Sequence, residues 1–323
     1  MTFLRYQAKT TSEKSVKRNT AIMIVSPCSS RKKAPIEASL HASNLTAGAL
    51  SDVALQWKMS VESAAKSNTT QTLYGGRAFS DASWSAKSIG TVHYVVSAGL
   101  GLIGPDDKIP SYAMTTVGLT DENVLKKCPA GTTPADWWNK AFPQGIITDL
   151  IGKATERVFV ALPSVYLEMI QEELLHLSSK DFEKVRILTG GSETLRDTPL
   201  GESILPYDLR LDGPDSPIPG TMSDFASRAL RHFVGIASKA SYQGLSSDKR
   251  LVSSALAGMR LPTMPKRVRA SDIEIRKALI ASWEHTQGNR HKLLRHLRDV
   301  LLVSCEQSRF ARIARELEEE RLV

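Results

Sequence analysis

The stretch that decides the fold is Ala21-Ile-Met-Ile-Val-Ser-Pro-Cys-Ser-Ser-Arg-Lys-Lys33. Its apolar residues continue without a break to Val25 and then give way to hydroxyl, thiol and basic side chains. An uninterrupted apolar run of this length is typical of a strand that is buried on both faces of a sheet. We therefore expect a buried strand that carries a ligand-binding loop at its carboxyl end.

The same design recurs along the chain. Val92-His-Tyr-Val-Val-Ser-Ala-Gly-Leu-Gly-Leu-Ile103 again runs from β-branched and aromatic residues into serine and glycine. Two further apolar runs, Arg157 to Leu162 and Val185 to Thr189, end in Pro163-Ser164 and in Gly190-Gly-Ser192. Segments with helical spacing separate these runs, which predicts an α/β fold with a doubly wound, mainly parallel sheet. Ligands of such sheets bind beyond the carboxyl ends of the strands, so we expect one shared cleft.

Composition narrows the class of protein. The 323 residues carry a formal net charge of +8, which favours a polyanionic partner such as DNA over a merely basic protein without one. The three cysteines, Cys28, Cys128 and Cys305, are far apart and form no Cys-x-x-Cys pair, so we predict no disulfide framework, no metal and no cofactor. No apolar run is long enough to span a membrane, and the N-terminus lacks a signal-peptide core, which predicts a cytoplasmic protein without membrane contact.

The chain is expected to have three parts. Residues 1–19 are polar and basic, and they form either a disordered arm or a segment that lies on a phosphate backbone. Residues 20–262 form the α/β catalytic domain, in which a long helix is predicted over residues 36–67. Residues 263–323 form a basic helical domain after the linker that begins at Pro262.

The C-terminal part is predicted to contain three short helices with tight turns, in the manner of a helix-turn-helix bundle. Basic residues are frequent on their polar faces, and a solvated helix face is the alternative to DNA contact. The candidate DNA-binding residues are Lys266, Arg267, Arg269, Arg290, Lys292, Arg295, Arg298, Arg309 and Arg312.

Several short motifs carry a resemblance to a known group of proteins. They are Ser26-Pro-Cys-Ser-Ser-Arg-Lys32, Leu73-Tyr74 with Phe79, Val96-Ser-Ala-Gly-Leu-Gly-Leu102 and Pro110-Ser-Tyr112. Over roughly the first third of the chain they resemble an uncharacterised bacterial family with the pattern Ser-Cys-Ser-x-x-Lys, Leu-Tyr, Ser-Ala-x-x-Gly-Leu and Pro-Tyr. That family is similar to the peroxide-stress DNA-binding proteins and to the Pro-Cys-containing domain of archaeosine synthase, and related folds include uracil-DNA glycosylases.

The resemblance implies work on a base in DNA. Relatives of this kind occur in phage-defence loci, as glycosylases that remove modified bases from viral DNA, and in gene sets that place deazaguanines in nucleic acid. This chain departs from the family pattern, because Gly99-Leu100 replaces a basic-aromatic pair and Ser111 separates Pro110 from Tyr112. These departures leave the identity of the base open. The loop from Pro27 to Lys33 also lacks the acid and the tyrosine of a uracil-glycosylase loop.

Breaking an N-glycosidic bond needs a carboxylate that activates water or an amine that attacks the sugar. Asp106 and Asp107 follow the second apolar run and are the leading acid or base candidates, although Gly-Pro-Asp-Asp is also typical of a surface turn. Lys32 is the third catalytic candidate, as a phosphate or base contact or as a nucleophilic amine. The Cys28 thiol is either a nucleophile or a small buried side chain.

Substrate binding is assigned to the strand ends. Tyr74 and Tyr112 either stack on an extruded base or lie at the edge of the core, and His93 is interpreted as a core histidine. The predicted substrate-binding residues are Ser26, Cys28, Ser29, Ser30, Tyr74, Ser97, Gly99, Gly101, Tyr112, Ser164, Gly190, Gly191 and Ser192.

The leading hypothesis from the sequence is a DNA glycosylase that excises a modified base from phage DNA and leaves an abasic site. A deazaguanine-type base transferase or base-modifying enzyme is the first alternative, and it requires a second small-molecule substrate. A non-catalytic DNA-binding stress or regulatory protein is the second. The sequence favours duplex DNA with a flipped base as the partner and leaves protein partners open.

Overall fold

The computed structural model describes residues 19–191, 193–237, 244–263 and 266–321. All but the last residue of the predicted basic arm, and Ser192, lie outside this range. The chain divides into two compact units, Met1–Leu261 (unit 1) and Pro262–Val323 (unit 2). The domain boundary predicted from the linker lies one residue further along the chain than this division.

Unit 1 is built on a five-stranded sheet. Its strands are β1 (Asn19–Pro27), β2 (Thr91–Ser97), β3 (Gly101–Ile103), β4 (Arg157–Ala161) and β5 (Val185–Leu188), in the spatial order β3-β2-β1-β4-β5. β2, β1, β4 and β5 pair parallel with one another in that order, whereas β3 pairs antiparallel with β2. The prediction of an α/β fold with a mainly parallel sheet is therefore confirmed. The antiparallel edge strand β3 was not predicted.

Helices connect and cover these strands. They are α1 (Leu50–Ser63), α2 (Thr70–Leu73), α3 (Arg77–Ser88), α4 (Pro134–Ala141), α5 (Ile146–Lys153), α6 (Ser164–Leu175), α7 (Ser179–Phe182), α8 (Glu193–Arg196), α9 (Phe225–Ala237) and α10 (Leu245–Leu256). Short 3-10 helices lie at Ala42–Asn44, Val124–Lys127, Pro199–Ser203, Leu209–Asp212 and Met222–Asp224.

Both faces of the sheet are buried. Successive side chains of a strand point to opposite faces, and β1 shows this directly. Met23 and Val25 lie in a core cluster with residues of α5 and α6, whereas Ile24 lies in a second cluster with residues of α3 and α9. Helices therefore cover the sheet on both sides, which is compatible with the predicted doubly wound arrangement.

The helix predicted over residues 36–67 is much shorter in the structure. Only Leu50–Ser63 is helical, apart from the single 3-10 turn at Ala42–Asn44. The preceding segment makes backbone hydrogen bonds to a distant loop instead, from Ala42 N to Ala113 O (2.9 Å) and from Gly48 N to Lys127 O (3.0 Å). Tertiary pairing thus replaces the local helix that the Ala-rich composition favours.

A buried arginine organises the proline- and glycine-rich segment over residues 199–221. Arg228 of α9 is fully buried, and its Nε donates to Asp224 at 2.6 Å. Its guanidinium also donates to the Thr221 carbonyl at 2.8 Å. A Cβ atom at Gly220 would lie 2.3 Å from Arg228 Nε, so glycine is required at that position. Arg228 therefore ties this segment to α9, in addition to the short 3-10 helices that the segment contains.

Unit 2 is a small helical unit with its own core. Its helices are α11 (Asp272–Thr286), α12 (Arg290–Asp299) and α13 (Gln307–Arg321), and β6 (Val268–Arg269) pairs parallel with β7 (Val303–Ser304). The helices pack around Leu279, Leu293 and Phe310. α12 ends at Asp299, and the chain then enters β7.

A three-residue turn joins α11 to α12. Gln287 and Gly288 adopt positive φ angles of 57° and 65°, which end α11. The Asn289 side chain then accepts hydrogen bonds from the first turn of α12 and caps that helix. In the described part of the chain, no helix is both long and apolar enough to cross a membrane.

Candidate functional site

The candidate site lies where β1 meets β4 at the carboxyl edge of the sheet. α3, which leads into β2, packs on one face of the sheet, and α6, which follows β4, packs on the other. Helices that leave adjacent strands on opposite faces open a crevice between them, and this is where ligands of open α/β sheets bind. The side chains of Cys28, after β1, and Tyr166, in α6, meet at this point with Sγ and the hydroxyl 3.2 Å apart.

The loop after β1 is fixed on both sides. Cys28 N donates to Val96 O of β2 at 2.8 Å. On the other side, Lys33 N donates to Leu73 O at 2.8 Å and Gly75 N donates to Arg31 O at 2.9 Å. These bonds hold the backbone of the loop from Cys28 to Lys33 in one position.

Lys32 is the central basic group of the site. Its Nζ lies 4.4 Å from the ring centroid of Tyr112 and 5.2 Å from that of Tyr74. It donates a hydrogen bond to the Ser29 carbonyl at 2.6 Å. Burial lowers the pKa of Lys32 below its ordinary value, and the neighbouring Cys28 sulfur partly opposes this shift. A larger share of this lysine is therefore uncharged than of a lysine in water.

Three hydroxyl groups form a chain beside Lys32. Tyr112 hydrogen-bonds with Ser97 Oγ on one side and with the Tyr74 hydroxyl, 2.8 Å away, on the other. Both tyrosine rings are fully buried, and burial raises their pKa values. Neither ring is open to stack on a base. Of the two alternatives from the sequence, stacking on a base or lying at the edge of the core, this position matches the second. Lys32 covers the side of the rings that faces the crevice.

The turn between β2 and β3 is held from several directions. Ser97 Oγ accepts hydrogen bonds from the backbone N–H groups of Gly99 and Leu100, both at 3.1 Å, so these donors are already used. The indole of Trp57 donates to Gly99 O at 2.6 Å, and that of Trp137 donates to Ala98 O at 2.7 Å. A side chain at the Gly99 position would meet the Tyr112 ring at 2.7 Å. Ser97, Gly99 and the two indoles thus fix the wall behind Lys32.

Tyr166 is a site residue that the sequence reasoning missed. It lies two residues after Ser164, which begins α6 directly behind Pro163. Burial raises the pKa of its hydroxyl, so it stays protonated and can donate to Cys28. The available signal was its position just beyond the third predicted strand end, next to the predicted Ser164.

A second polar pair lies below the edge of the sheet. Ser26 Oγ and His93 Nε2 are 2.7 Å apart, and both residues are buried. His93 Nδ1 has no hydrogen-bond partner among the described residues, and the ring packs against Phe79 at 5.5 Å. Burial lowers the pKa of His93 to about 4. The side chain is therefore a neutral core histidine at physiological pH, as interpreted from the sequence.

The two carboxylates proposed as acid or base lie on an exposed turn after β3. Asp107 Oδ2 accepts a hydrogen bond from Gly104 N at 2.7 Å, which closes the turn locally. Asp106 is also exposed. The hydrogen bonds of Cys28, Lys32 and Ser97 within the described part of the chain go to hydroxyl and backbone groups and to none of the carboxylates.

The remaining predicted substrate-binding residues are spread along the edge. Ser29 Oγ accepts a hydrogen bond from Arg31 N at 3.1 Å, and Ser30 is exposed. Gly101 has a φ of 72°, and a Cβ there would meet Phe142 at 2.8 Å. Gly190 and Gly191 follow β5, where Gly190 packs closely against Met222 and Phe225, whereas Ser192 lies outside the described residues.

Among the described residues, no group of three or more His, Cys, Asp or Glu side chains is arranged to hold a metal ion.

The basic residues of unit 2 fall into two groups. Some bind acidic side chains or carbonyls of the same unit: Arg267 pairs with Asp299, Arg290 with Glu318, Arg309 and Arg312 with Asp272, and Arg298 donates to Cys305 O. The others, Lys266, Arg269, Lys292 and Arg295, direct their charge mainly to solvent.

Comparisons with protein-family models, with curated proteins and with solved structures found no match to this chain.

Proposed function

We propose that the chain is a DNA glycosylase that removes a modified nucleobase and uses Lys32 as its reacting amine. One observation carries the proposal. The amine of Lys32 is held at the crevice of the sheet, beside Cys28 and against the Tyr112 ring, where burial lowers its pKa. A desolvated lysine amine is a nucleophile suited to attack on a sugar carbon.

The proposed reaction passes through a Schiff base between Lys32 and the sugar. The Nζ lone pair forms a bond to C1′ of the deoxyribose while the bond between C1′ and the base nitrogen breaks. The base leaves with that electron pair and takes a proton from water, and Nζ gives a proton to water. Opening of the sugar ring then forms a C=N bond at C1′, and O4′ takes a proton. Water adds to this Schiff base, releases Lys32 and leaves an abasic site.

The surroundings of Lys32 suit an extruded nucleotide. An enzyme that acts on a base takes it out of the stack, so the target enters the crevice as a single nucleotide. Cys28, Ser29 and Tyr166 are half-buried and border Lys32, so they offer polar contacts to the sugar or the base. The buried Ser97, Tyr74 and Tyr112 act behind them and hold the Lys32 amine in place.

Base exchange is the second candidate function. It is favoured by the hydrogen bonding of the site, in which no carboxylate takes part among the described residues. A transferase does not need to activate water, because a nitrogen of an incoming base attacks the sugar instead. Base release that depends on an added free base would distinguish this reaction from hydrolysis.

We also propose that the reaction takes place in the cytoplasm. Cys28, Cys128 and Cys305 are all free thiols, which suits a reducing cytoplasm. Phage DNA with modified bases is present in that compartment during infection, and defence against phage is the role that we propose.

The first experiment tests Lys32 without knowledge of the base. The full chain is incubated with a duplex that contains one abasic site, and sodium borohydride then reduces any Schiff base to a stable adduct. We expect an adduct with the wild type and with Lys33→Gln, whose exposed lysine donates to Gln71 O away from the crevice, and none with Lys32→Gln. Equal trapping by both variants, or none by the folded wild type, contradicts Lys32 as the reacting amine.

The second experiment tests base removal. Modified and ordinary phage DNAs are incubated with the protein, treated with alkali and analysed for strand breaks, and mass spectrometry identifies any released base. We expect a free base and alkali-labile sites with at least one modified DNA. Intact strands across the whole panel contradict base excision.

A further inference from the structure

A basic depression lies in unit 2 between the end of α11 and the outer face of α12. α11 contributes His285 and Thr286 to its walls. The residues from α12 and the position after it are Lys292, Arg295, His296, Asp299 and Val300. The rings of His285 and His296 stand 5.5 Å apart. Four side chains that donate hydrogen bonds and carry or accept positive charge therefore surround one small space.

The charge of this depression is largely uncompensated. Lys292 is exposed and makes no ion pair within the part of the chain that the structure describes. The Arg295 side chain is 85% exposed, with its Nε 3.8 Å from Asp299. Asp299 is already bound more closely by Arg267, at 2.9 Å. A single shared carboxylate thus faces several cationic groups.

Other arginines of unit 2 form ion pairs between its own helices. Arg309 and Arg312 both bind Asp272 at the start of α11, and this ties α13 to α11. Arg290 binds Glu318 of α13. If these side chains turned to a ligand, unit 2 would lose close ion pairs between its helices. Lys292 makes no ion pair among the described residues, and Arg295 would give up only its 3.8 Å approach to Asp299, which Arg267 also binds.

We infer that this depression binds a backbone phosphate of duplex DNA through Lys292, Arg295, His285 and His296. In a helix-turn-helix motif the second helix lies against a DNA groove, and in this inference α12 takes that position. Ammonium, guanidinium and imidazole N–H groups all donate to phosphate oxygens. The inference rests on the proposed function only in taking DNA as the partner, and base excision plays no part in it.

The test measures DNA affinity of the full chain against salt concentration. The probe is a fluorescent duplex oligonucleotide of ordinary bases, and the readout is anisotropy. The double variant Lys292→Ala/Arg295→Ala removes two cations from the depression. The matched control, Lys277→Ala/Arg315→Ala, removes the same charge from exposed positions of α11 and α13. Alanine is favoured in helices, so all four substitutions preserve the fold, and circular dichroism checks this.

We expect the depression variant to bind at least about tenfold more weakly and to lower the salt slope by roughly 1, since the one phosphate contact that it loses accounts for about 0.9. The control variant is expected to keep more than half of the wild-type salt slope. His285→Ala/His296→Ala is expected to weaken binding several-fold. Equal losses in the depression and control variants overturn the inference. Tighter binding of the wild type to one labelled strand of the same oligonucleotide than to the duplex also overturns it.

Borohydride trapping keeps the two proposals separate. At saturating abasic DNA, the Lys292→Ala/Arg295→Ala variant is expected to form the Lys32 adduct as the wild type does. Trapping without a binding defect would refute the phosphate site and leave the reacting amine intact. A binding defect without any trapping in the wild type would refute Lys32 and leave the phosphate site intact.

Discussion

Acidification is expected to destabilise unit 1 through a single buried imidazole. His93 has a folded-state pKa of about 4, against an ordinary value of 6.5, because burial penalises its charged form. Between these two pKa values, His93 is therefore protonated in the unfolded chain and neutral in the folded chain. The contribution of His93 to stability is complete above pH 6.5 and is lost progressively as the pH falls from 6.5 towards 4.

The size of the effect follows from these two pKa values. Between pH 7.5 and pH 5, proton uptake by the unfolded state lowers the free energy of unfolding by about 2 kcal/mol. The loss approaches about 3 kcal/mol at still lower pH. His93 Nδ1 has no partner among the described residues, and Ser26 occupies Nε2, so no neighbouring carboxylate stabilises the charged ring.

Urea unfolding at pH 7.5 and pH 5 measures this effect, with tryptophan fluorescence as the probe. Trp57 and Trp137 are buried in unit 1, so their emission reports its unfolding. His93→Gln keeps a polar neighbour for Ser26 but cannot take up a proton, and it is expected to lose about 2 kcal/mol less than the wild type on acidification. The control is His176→Gln, an exposed histidine, which is expected to behave as the wild type does.

If the wild type and His93→Gln lose the same free energy between pH 7.5 and pH 5, other groups cause the loss. If His93→Gln loses more free energy than the wild type over the same pH range, the His93 ring takes up a proton in the folded protein and its environment is polar.

Three further predictions concern the wall behind Lys32 and the exposed carboxylates. Tyr112→Phe removes the hydroxyl that joins Ser97 to Tyr74 and is expected to cost about 1 to 3 kcal/mol in urea unfolding; an unchanged midpoint would show that water replaces it. Gly99→Ala places a Cβ against the Tyr112 ring and is expected to lower stability by about 1 to 3 kcal/mol, which a thermal melt detects; full stability would require the ring to move freely. Asp106→Asn/Asp107→Asn is expected to keep base release within a few-fold of the wild type, and a loss of about 100-fold or more would transfer the catalytic role to these carboxylates.

The sequence was sufficient to predict the sheet because the signal is local. Each parallel strand is an apolar run that ends in serine, cysteine or glycine, and parallel strands present those ends at one edge. Lys32 and Ser97 could be placed near each other by this argument alone. The short strand β3 escaped prediction because its three residues continue the same apolar run, and the reversal depends on the Ser97 side chain binding two backbone N–H groups.

Other features depend on contacts between distant segments. Residues 36–49 have helical composition but bind the loop around Ala113 and Lys127 instead. Tyr166 belongs to the site only because β4 lies next to β1, which periodicity does not reveal. The pairing of Arg309 with Asp272 requires α13 to pack on α11, so a count of charges could not separate structural arginines from available ones.

The position of β1 has a consequence for synthesis of the protein on the ribosome. β1 lies at the centre of the sheet, but its neighbour β4 begins only at Arg157. At about 5 to 20 residues per second, roughly ten seconds passes before both partners of β1 have been translated. During that interval the apolar strand has an unpaired edge, and nascent chains that stop before β4 also lack Tyr166. Unit 1 can therefore complete its crevice only after α6 has been translated, and until then the emerging chain exposes one apolar edge of β1.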